Sequence, residues 1–222
     1  MRQFILASGS PRRIEMMQSH GYSPLVMPSD IEETLPYYDG MTETVTFLAL
    51  KKARDVEARW LNQTQQNLLS QAFQISRVSG PSGTSGTSGT SGGSQHPPII
   101  IAADTIVYYD GEIMGKPLDK EDGFRMLSAL RGQVHYVVTG VALVEAGAQN
   151  TRVFYEITRV YFTDYSDEEL QAYLETDEAY DKAGGYAIQG YFSRYVDHIE
   201  GDYDNVVGFP WKRIMKELIK FK

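Results

Sequence analysis

The stretch IIIAADTIVYYDGEIMGKP, residues 99–117, decides the fold of this 222-residue chain. Residues 99–103 form a continuous apolar run of strand length, which predicts a strand inside a sheet that ends just before Asp104. The dipeptide Asp110-Gly111 between TIVYY and EIM favours a hairpin turn. The hairpin would bring Asp104 and Lys116 to one end of the sheet, where ligand sites of α/β proteins tend to form. An Asp that satisfies a turn is an equally open interpretation.

Alternating strand and helix patterns extend outward from this stretch. The predicted strands cover residues 3–7, 134–144 and 151–162, and the predicted helices cover 11–20, 45–60, 119–130, a segment opened by a capping box at 166–169, and 211–221. Strands joined both by hairpins and by helices predict an α/β fold with a mixed, curved sheet, flanked by helices around a central cleft.

The composition changes once along the chain. GPSGTSGTSGTSGGS at residues 80–94 lacks apolar side chains and periodicity, which is typical of a flexible coil. The preceding residues 61–78 are rich in Gln and give no strong pattern, so their structure stays open. We therefore predict one domain over residues 1–222, with a flexible Gly/Ser/Thr-rich insertion at about 79–96.

Bulk composition excludes several classes of protein. The chain has no Cys, which rules out disulfides, thiolate nucleophiles and Cys-based zinc sites. The net charge of −8 argues against a nucleic acid or an acidic membrane as partner. No apolar run is long enough to span a bilayer and no secretory signal is recognised, so we expect a cytoplasmic protein. The four histidines show no metal-ligand spacing.

Three short motifs carry residues suited to chemistry. The first motif, ASGSPRR at residues 7–13, combines a helix start, Ser hydroxyls and two guanidinium groups, which are the parts of an anion site. A Ser-capped helix with two surface arginines is the alternative interpretation. The second motif is ADT at 103–105, with GKP at 115–117. The third is DKAGGYAIQG at 181–190, whose glycines permit close backbone approach, or form a loop without a ligand. Glu33 and Lys52 would ordinarily be solvated surface residues.

Taken jointly, these motifs resemble the Maf family, whose members carry ASGSPRR, ADT followed by GKP, and a DKAG-Y-IQG segment in this order. The resemblance extends to residues 29–33, 139–141 and 199–210, and covers nearly the whole chain outside residues 61–98. The chain departs from the family pattern at Arg131, where Ser is common, and in the insertion.

The resemblance implies roles for nine residues. Asp104 would be the proton acceptor that activates water, and Asp104 and Glu33 would hold a divalent metal, Mg²⁺ or Mn²⁺. Lys52, Lys116, Arg12 and Arg13 would contact phosphates, with Ser8 beside them. Arg12, Thr105 and Gln189 would influence the choice of base, because an amide can pair with the edge of uracil or thymine.

The implied activity is that of a house-cleaning nucleoside triphosphate pyrophosphatase. YAIQG resembles the branch that hydrolyses dTTP and UTP to the monophosphate and pyrophosphate, by metal-assisted attack of water on the α-phosphate. Two alternatives stay open: the same chemistry on 7-methyl-GTP or on a modified pyrimidine nucleotide, and a nucleotide-binding regulator of cell division and septum formation. The resemblance is also compatible with a homodimer.

Overall fold

The computed structural model describes residues 2–32, 40–78 and 96–221. Glu33 and nearly all of the predicted insertion therefore lie outside the described residues. The elements are, in chain order, β1 (Phe4–Leu6), α1 (Pro11–Ser19), β2 (Leu25–Val26), α2 (Met41–Val78), β3 (Ile99–Tyr109), β4 (Glu112–Met114), α3 (Lys120–Leu130), β5 (Val134–Glu145), β6 (Thr151–Phe162), α4 (Asp167–Leu174), β7 (Val196–Glu200), α5 (Tyr203–Val207) and α6 (Trp211–Ile219). Two 3₁₀ turns, Ala183–Gly185 and Tyr191–Tyr195, precede β7.

The seven strands form one mixed sheet in the order β2-β1-β3-β5-β6-β7, with β4 also paired to β3. β1 is parallel to β2 and β3, and all other pairs are antiparallel. Helices cover both faces. α2 packs Ala49, Ala53 and Val56 on one face, whereas α1 and α6 pack Met17 and Ile214 on the other. The predicted mixed α/β sheet with flanking helices is confirmed.

β3 is longer than the apolar run predicts. The prediction that the strand ends before Asp104 is wrong, because β3 continues to Tyr109 and places Asp104 in its middle. The second half, TIVYY, consists of β-branched and aromatic residues, which favour strands even where the apolar run is broken. The predicted hairpin is confirmed: Asp110 and Gly111 have φ of 46° and 82° and join β3 to the antiparallel β4.

The edge of β3 that faces away from β5 has a gap in its strand pairing. β1 pairs with residues 99–101 on this edge, and β4 pairs with residues 107–109. Within the described parts of the chain, no strand pairs with residues 102–106 there, and Asp104 lies at the centre of this gap. We call these five residues the β3 notch.

α2 approaches the sheet closely beside the notch. Gly140 of β5 is the register partner of Asp104, and a Cβ atom at Gly140 would collide with the backbone of Val45 and Thr46. Glycine is therefore required for the helix to lie this close.

α2 also begins earlier and ends later than the predicted helix at 45–60. Residues 61–78 continue the helix because Gln and Leu are good helix formers. In the described residues, none of the helices is long and apolar enough to cross a membrane.

We expect Gly140→Ala to lower the free energy of unfolding by about 1–3 kcal/mol, because the added methyl group displaces α2 from β5. Urea unfolding measures the change. Gly115→Ala is the control, since a Cβ at Gly115 meets no atom within 4 Å. Equal, small effects of both substitutions would show that the close approach at Gly140 is not a constraint.

Candidate active site

A cavity of about 700 Å³ opens at the β3 notch. Its walls come from the β1–α1 loop, α2, β3, the loop after β4, the segment 181–188 and the end of α5. Seven of the nine residues singled out in the sequence line it: Ser8, Arg12, Arg13, Lys52, Asp104, Thr105 and Lys116. Gln189 is exposed and is not part of the lining, although its neighbour Ile188 is. The ninth residue, Glu33, lies outside the described residues.

Asp104 forms a buried ion pair with Lys52. The Lys52 Nζ lies 2.7 Å from the Asp104 Oδ1, and the two side chains are only 12% and 9% exposed. Lys52 reaches the carboxylate because Thr44, Leu48 and Lys52 are four residues apart on α2 and all face the cavity. Charges buried to this degree need a partner, and each of the two side chains supplies one for the other at the cavity wall.

Arg13 occupies the β3 notch in place of a strand. Its guanidinium donates to the Ala103 carbonyl oxygen at 2.8 Å and to the Gly208 carbonyl oxygen at 2.9 Å. It also donates to the Thr105 Oγ1 at 3.1 Å and the Ser8 Oγ at 3.2 Å. The Ala103 carbonyl points to the edge that β1 has left, and a buried carbonyl needs a donor. Arg13 therefore joins α1, β3 and the α5–α6 loop around Asp104.

Arg12 faces the cavity. Burial lowers the pKa of its guanidinium, and the nearby Asp181 carboxylate partly offsets this shift. The lowered pKa means that the surroundings disfavour the cation, and an anionic ligand would remove that penalty. Lys116, on the loop after β4, is exposed and adds a second cation to the cavity wall. Arg12 and Lys116 thus suit an anion better than Arg13 does.

A buried chain of hydrogen bonds continues from Arg13 beneath the cavity. The Thr105 Oγ1 lies 3.0 Å from the Thr139 Oγ1, which donates to the Asn205 carbonyl oxygen at 3.1 Å. The Asn205 amide nitrogen donates to the Val137 carbonyl oxygen and the Thr158 Oγ1, both at 3.0 Å. Because Thr139 gives its one proton to Asn205, Thr105 must donate to Thr139. The sequence signal for this chain is polar residues inside strands that are otherwise apolar.

The third motif lines the cavity with residues 181–183, 186 and 188, on either side of its glycine turn. Gly184 and Gly185 have φ of 70° and 74°, a conformation that favours glycine. The Gly184 N–H donates to the Gly115 carbonyl oxygen at 2.8 Å, and a Cβ at Gly184 would collide with Val107. The turn therefore lies against β3 and the loop after β4, and it directs Tyr186 to the cavity.

The residues present are compatible with a divalent metal. Mg²⁺ is commonly held by one or two carboxylates together with substrate phosphate oxygens and water. Asp104 supplies one hard oxygen donor at the cavity wall. Across residues 2–32, 40–78 and 96–221, no group of three His, Asp or Glu side chains is placed to bind a metal. A metal at Asp104 would take its further ligands from substrate oxygens, from water or from the predicted ligand Glu33, which lies outside the described residues.

Comparison with known proteins matches this architecture to one family. The family described as Maf-like protein matches residues 3–221. A dTTP/UTP pyrophosphatase of Alkaliphilus oremlandii is 40% identical over 210 residues, covering 95% of this chain and 91% of the relative. The proteins of that name from Bacillus anthracis and Bacillus cytotoxicus are each 38% identical over 221 residues, covering 100% of this chain and 96% of the relative. The chain, whose three sequence motifs all contribute residues to one cavity, belongs to the Maf family.

Proposed function

We infer that this protein is a dTTP/UTP pyrophosphatase, which hydrolyses these nucleotides to the monophosphate and pyrophosphate. The observation that carries the inference is the buried ion pair of Asp104 with Lys52 in a cavity that Arg12 and Lys116 also line. The relatives named dTTP/UTP pyrophosphatase, 38–40% identical over nearly their full length, support the choice of reaction and substrate.

In the proposed reaction, a water molecule attacks the α-phosphorus while Asp104 accepts its proton. The new bond joins the water oxygen to the α-phosphorus, and the bond between that phosphorus and the bridging oxygen of the β-phosphate breaks. Pyrophosphate leaves with the electron pair. Lys52, Arg12 and Lys116 stabilise the negative charge that moves to the leaving group, because fixed cations act strongly in a site of low dielectric constant.

Asp104, together with Glu33 and substrate oxygens, would hold the divalent cation. When bound, Mg²⁺ or Mn²⁺ supplies charge neutralisation at the phosphates and lowers the pKa of a coordinated water. Lys52 holds Asp104 in place at 2.7 Å, so the carboxylate is oriented before substrate arrives. The role of Glu33 stays a prediction from the family resemblance.

The two neighbouring arginines have different tasks in this proposal. Arg12 binds phosphate, whereas Arg13 holds two backbone carbonyls, that of Ala103 in the β3 notch and that of Gly208 after α5. The bonds of Arg13 to Ala103, Gly208, Thr105 and Ser8 already engage all three nitrogens of its guanidinium. We therefore propose that Arg13 acts on the substrate through Asp104 and Thr105, which it helps to position.

We expect Asp104→Asn to lower kcat by about 100-fold or more, because the amide cannot accept the proton from water. Pyrophosphate release from UTP with Mg²⁺ or Mn²⁺ measures the loss, and urea unfolding checks that the variant is folded. Asp119→Asn is the control, since Asp119 caps α3 and Asn caps a helix equally well. Turnover within about threefold of the wild type would rule out Asp104 as the proton acceptor.

Arg12→Gln and Arg13→Gln should separate binding from folding. Arg12→Gln should weaken inhibition by inorganic tripolyphosphate by about tenfold or more, because a charge-assisted bond is lost, with little change in stability. Arg13→Gln should lower the free energy of unfolding by about 1–3 kcal/mol or more, because it leaves buried carbonyls without donors. Inhibition assays and urea unfolding test both. The division of tasks is wrong if the two variants behave alike.

Base choice is assigned to Gln189 in the family resemblance, and Gln189→Glu tests that assignment. If the amide pairs with the uracil or thymine edge, the substitution should change the ratio of UTP to GTP turnover more than it changes stability. Turnover of both nucleotides and urea unfolding give the comparison. An unchanged ratio would move base recognition to other residues of the cavity, which the exposed position of Gln189 makes a sharp alternative.

A further inference from the structure

The cavity is charged near Asp104 and apolar further along β3. Val107 lies three residues beyond Asp104, about 10 Å along the strand, and pairs with Val137 of β5. Both valines line the cavity together with Tyr186, Ile188 and Val206. Apolar walls with a small number of fixed polar groups are typical of pockets that bind aromatic ligands. If the phosphates lie at Asp104, the nucleobase has this apolar wall available.

Tyr186 is the aromatic residue of the apolar wall, and a buried histidine holds it. The Tyr186 hydroxyl lies 2.7 Å from the His135 Nε2, and the two rings meet edge to face at 84°. Phe162 packs against both rings, with centroid distances of 4.6 Å to His135 and 4.8 Å to Tyr186. Three rings at these distances restrict rotation of the Tyr186 side chain.

The hydrogen bond to Tyr186 gives a partner to one ring nitrogen of the buried His135. His135 is fully buried on β5. Burial lowers its pKa to about 3, so the imidazole is neutral near pH 7. The His135 Nδ1 has no hydrogen-bond partner in the described parts of the chain. The Tyr186 hydroxyl is therefore the partner that compensates for burial of the ring, and losing it would leave a buried polar group unsatisfied.

We propose that His135 is a positioning residue for substrate recognition: its hydrogen bond fixes the Tyr186 ring, and the pyrimidine of the substrate packs against that ring. The inference rests on the proposed function and extends it to the base. It assigns the base-binding surface to Tyr186, which lines the cavity, and gives His135, buried behind that ring, the task of holding it. The pyrimidine would lie on the apolar wall while the triphosphate extends toward Arg12 and Lys116.

Tyr186→Phe tests the proposal because it keeps the ring and removes the hydroxyl. We expect KM for UTP and dTTP to rise about threefold to tenfold, the equivalent of one hydrogen bond, with kcat within about threefold of the wild type. Inhibition by inorganic tripolyphosphate, which has phosphates but no base, should stay unchanged. A purely structural role of the pair would not change KM for nucleotides while sparing tripolyphosphate.

Tyr165→Phe is the matched control. Tyr165 is also buried and also packs on Phe162, but its hydroxyl donates to the Leu127 carbonyl oxygen and it does not line the cavity. This variant should lose stability without a rise in KM.

Substitutions of His135 test the other side of the bond. His135→Gln, which can still donate to the tyrosine, should keep KM closer to the wild type than His135→Leu does. The double variant His135→Leu/Tyr186→Phe should have a KM no higher than the worse single variant.

The outcomes separate this inference from the proposed function. If the wild type releases pyrophosphate from UTP and dTTP but Tyr186→Phe and His135→Leu leave KM within twofold, the positioning role is wrong and the reaction stands. The same conclusion follows if Tyr165→Phe raises KM equally, or if tripolyphosphate inhibition weakens in parallel. If the wild type releases no pyrophosphate from any nucleoside triphosphate, the proposed function itself fails.

Discussion

The gap in strand pairing at the β3 notch, as seen among the described residues, is the constraint on which the site depends. β1 leaves the edge of β3 after residue 101 and β4 joins it at residue 107, so five residues of a central strand have no strand partner on that edge among the described residues. Three of them, Asp104, Thr105 and Ile106, line the cavity. Such a gap exposes backbone groups that need partners. Arg13 supplies donors to the Ala103 and Gly208 carbonyls and so stabilises an opening that a strand would otherwise close. The gap, in turn, gives a ligand access to Asp104.

This arrangement makes the proposed polyanionic substrate compatible with a net charge of −8. The global charge repels phosphates, but its effect is screened beyond about 8–10 Å at physiological salt. The cavity that would hold the phosphates is lined by Arg12, Lys52 and Lys116. Lys52 is committed to Asp104 by a buried ion pair, so the local field is set before the substrate arrives. A few cations in a region of low dielectric constant then outweigh many distant carboxylates.

The sequence predicts local structure where local interactions determine it. The Asp110-Gly111 hairpin and the capping box at Ser166 and Glu169 depend on a few neighbouring residues, and both are confirmed. The predicted end of β3 was wrong because the strand pairs with β5, which is distant in sequence, and this pairing extends β3 past Asp104. The different surroundings of Arg12 and Arg13 have no signature in the sequence. Consecutive helical residues differ by about 100° in direction, so only the docked helix shows which arginine faces the notch.

The His135 and Tyr186 pair could not be recognised from the sequence for a related reason. Fifty-one positions separate the two residues, and a lone His in a strand is ordinarily a core residue. The structure brings them together because two glycines with positive φ turn the chain against Val107 and direct Tyr186 beneath the sheet. The same strand, β3, thus borders both ends of the cavity: Asp104 among the cations and Val107 beside the aromatic wall. Because one rigid strand carries both residues, the sheet fixes the spacing between the charged and the apolar end of the cavity, and the proposed nucleotide substrate would have to match that spacing.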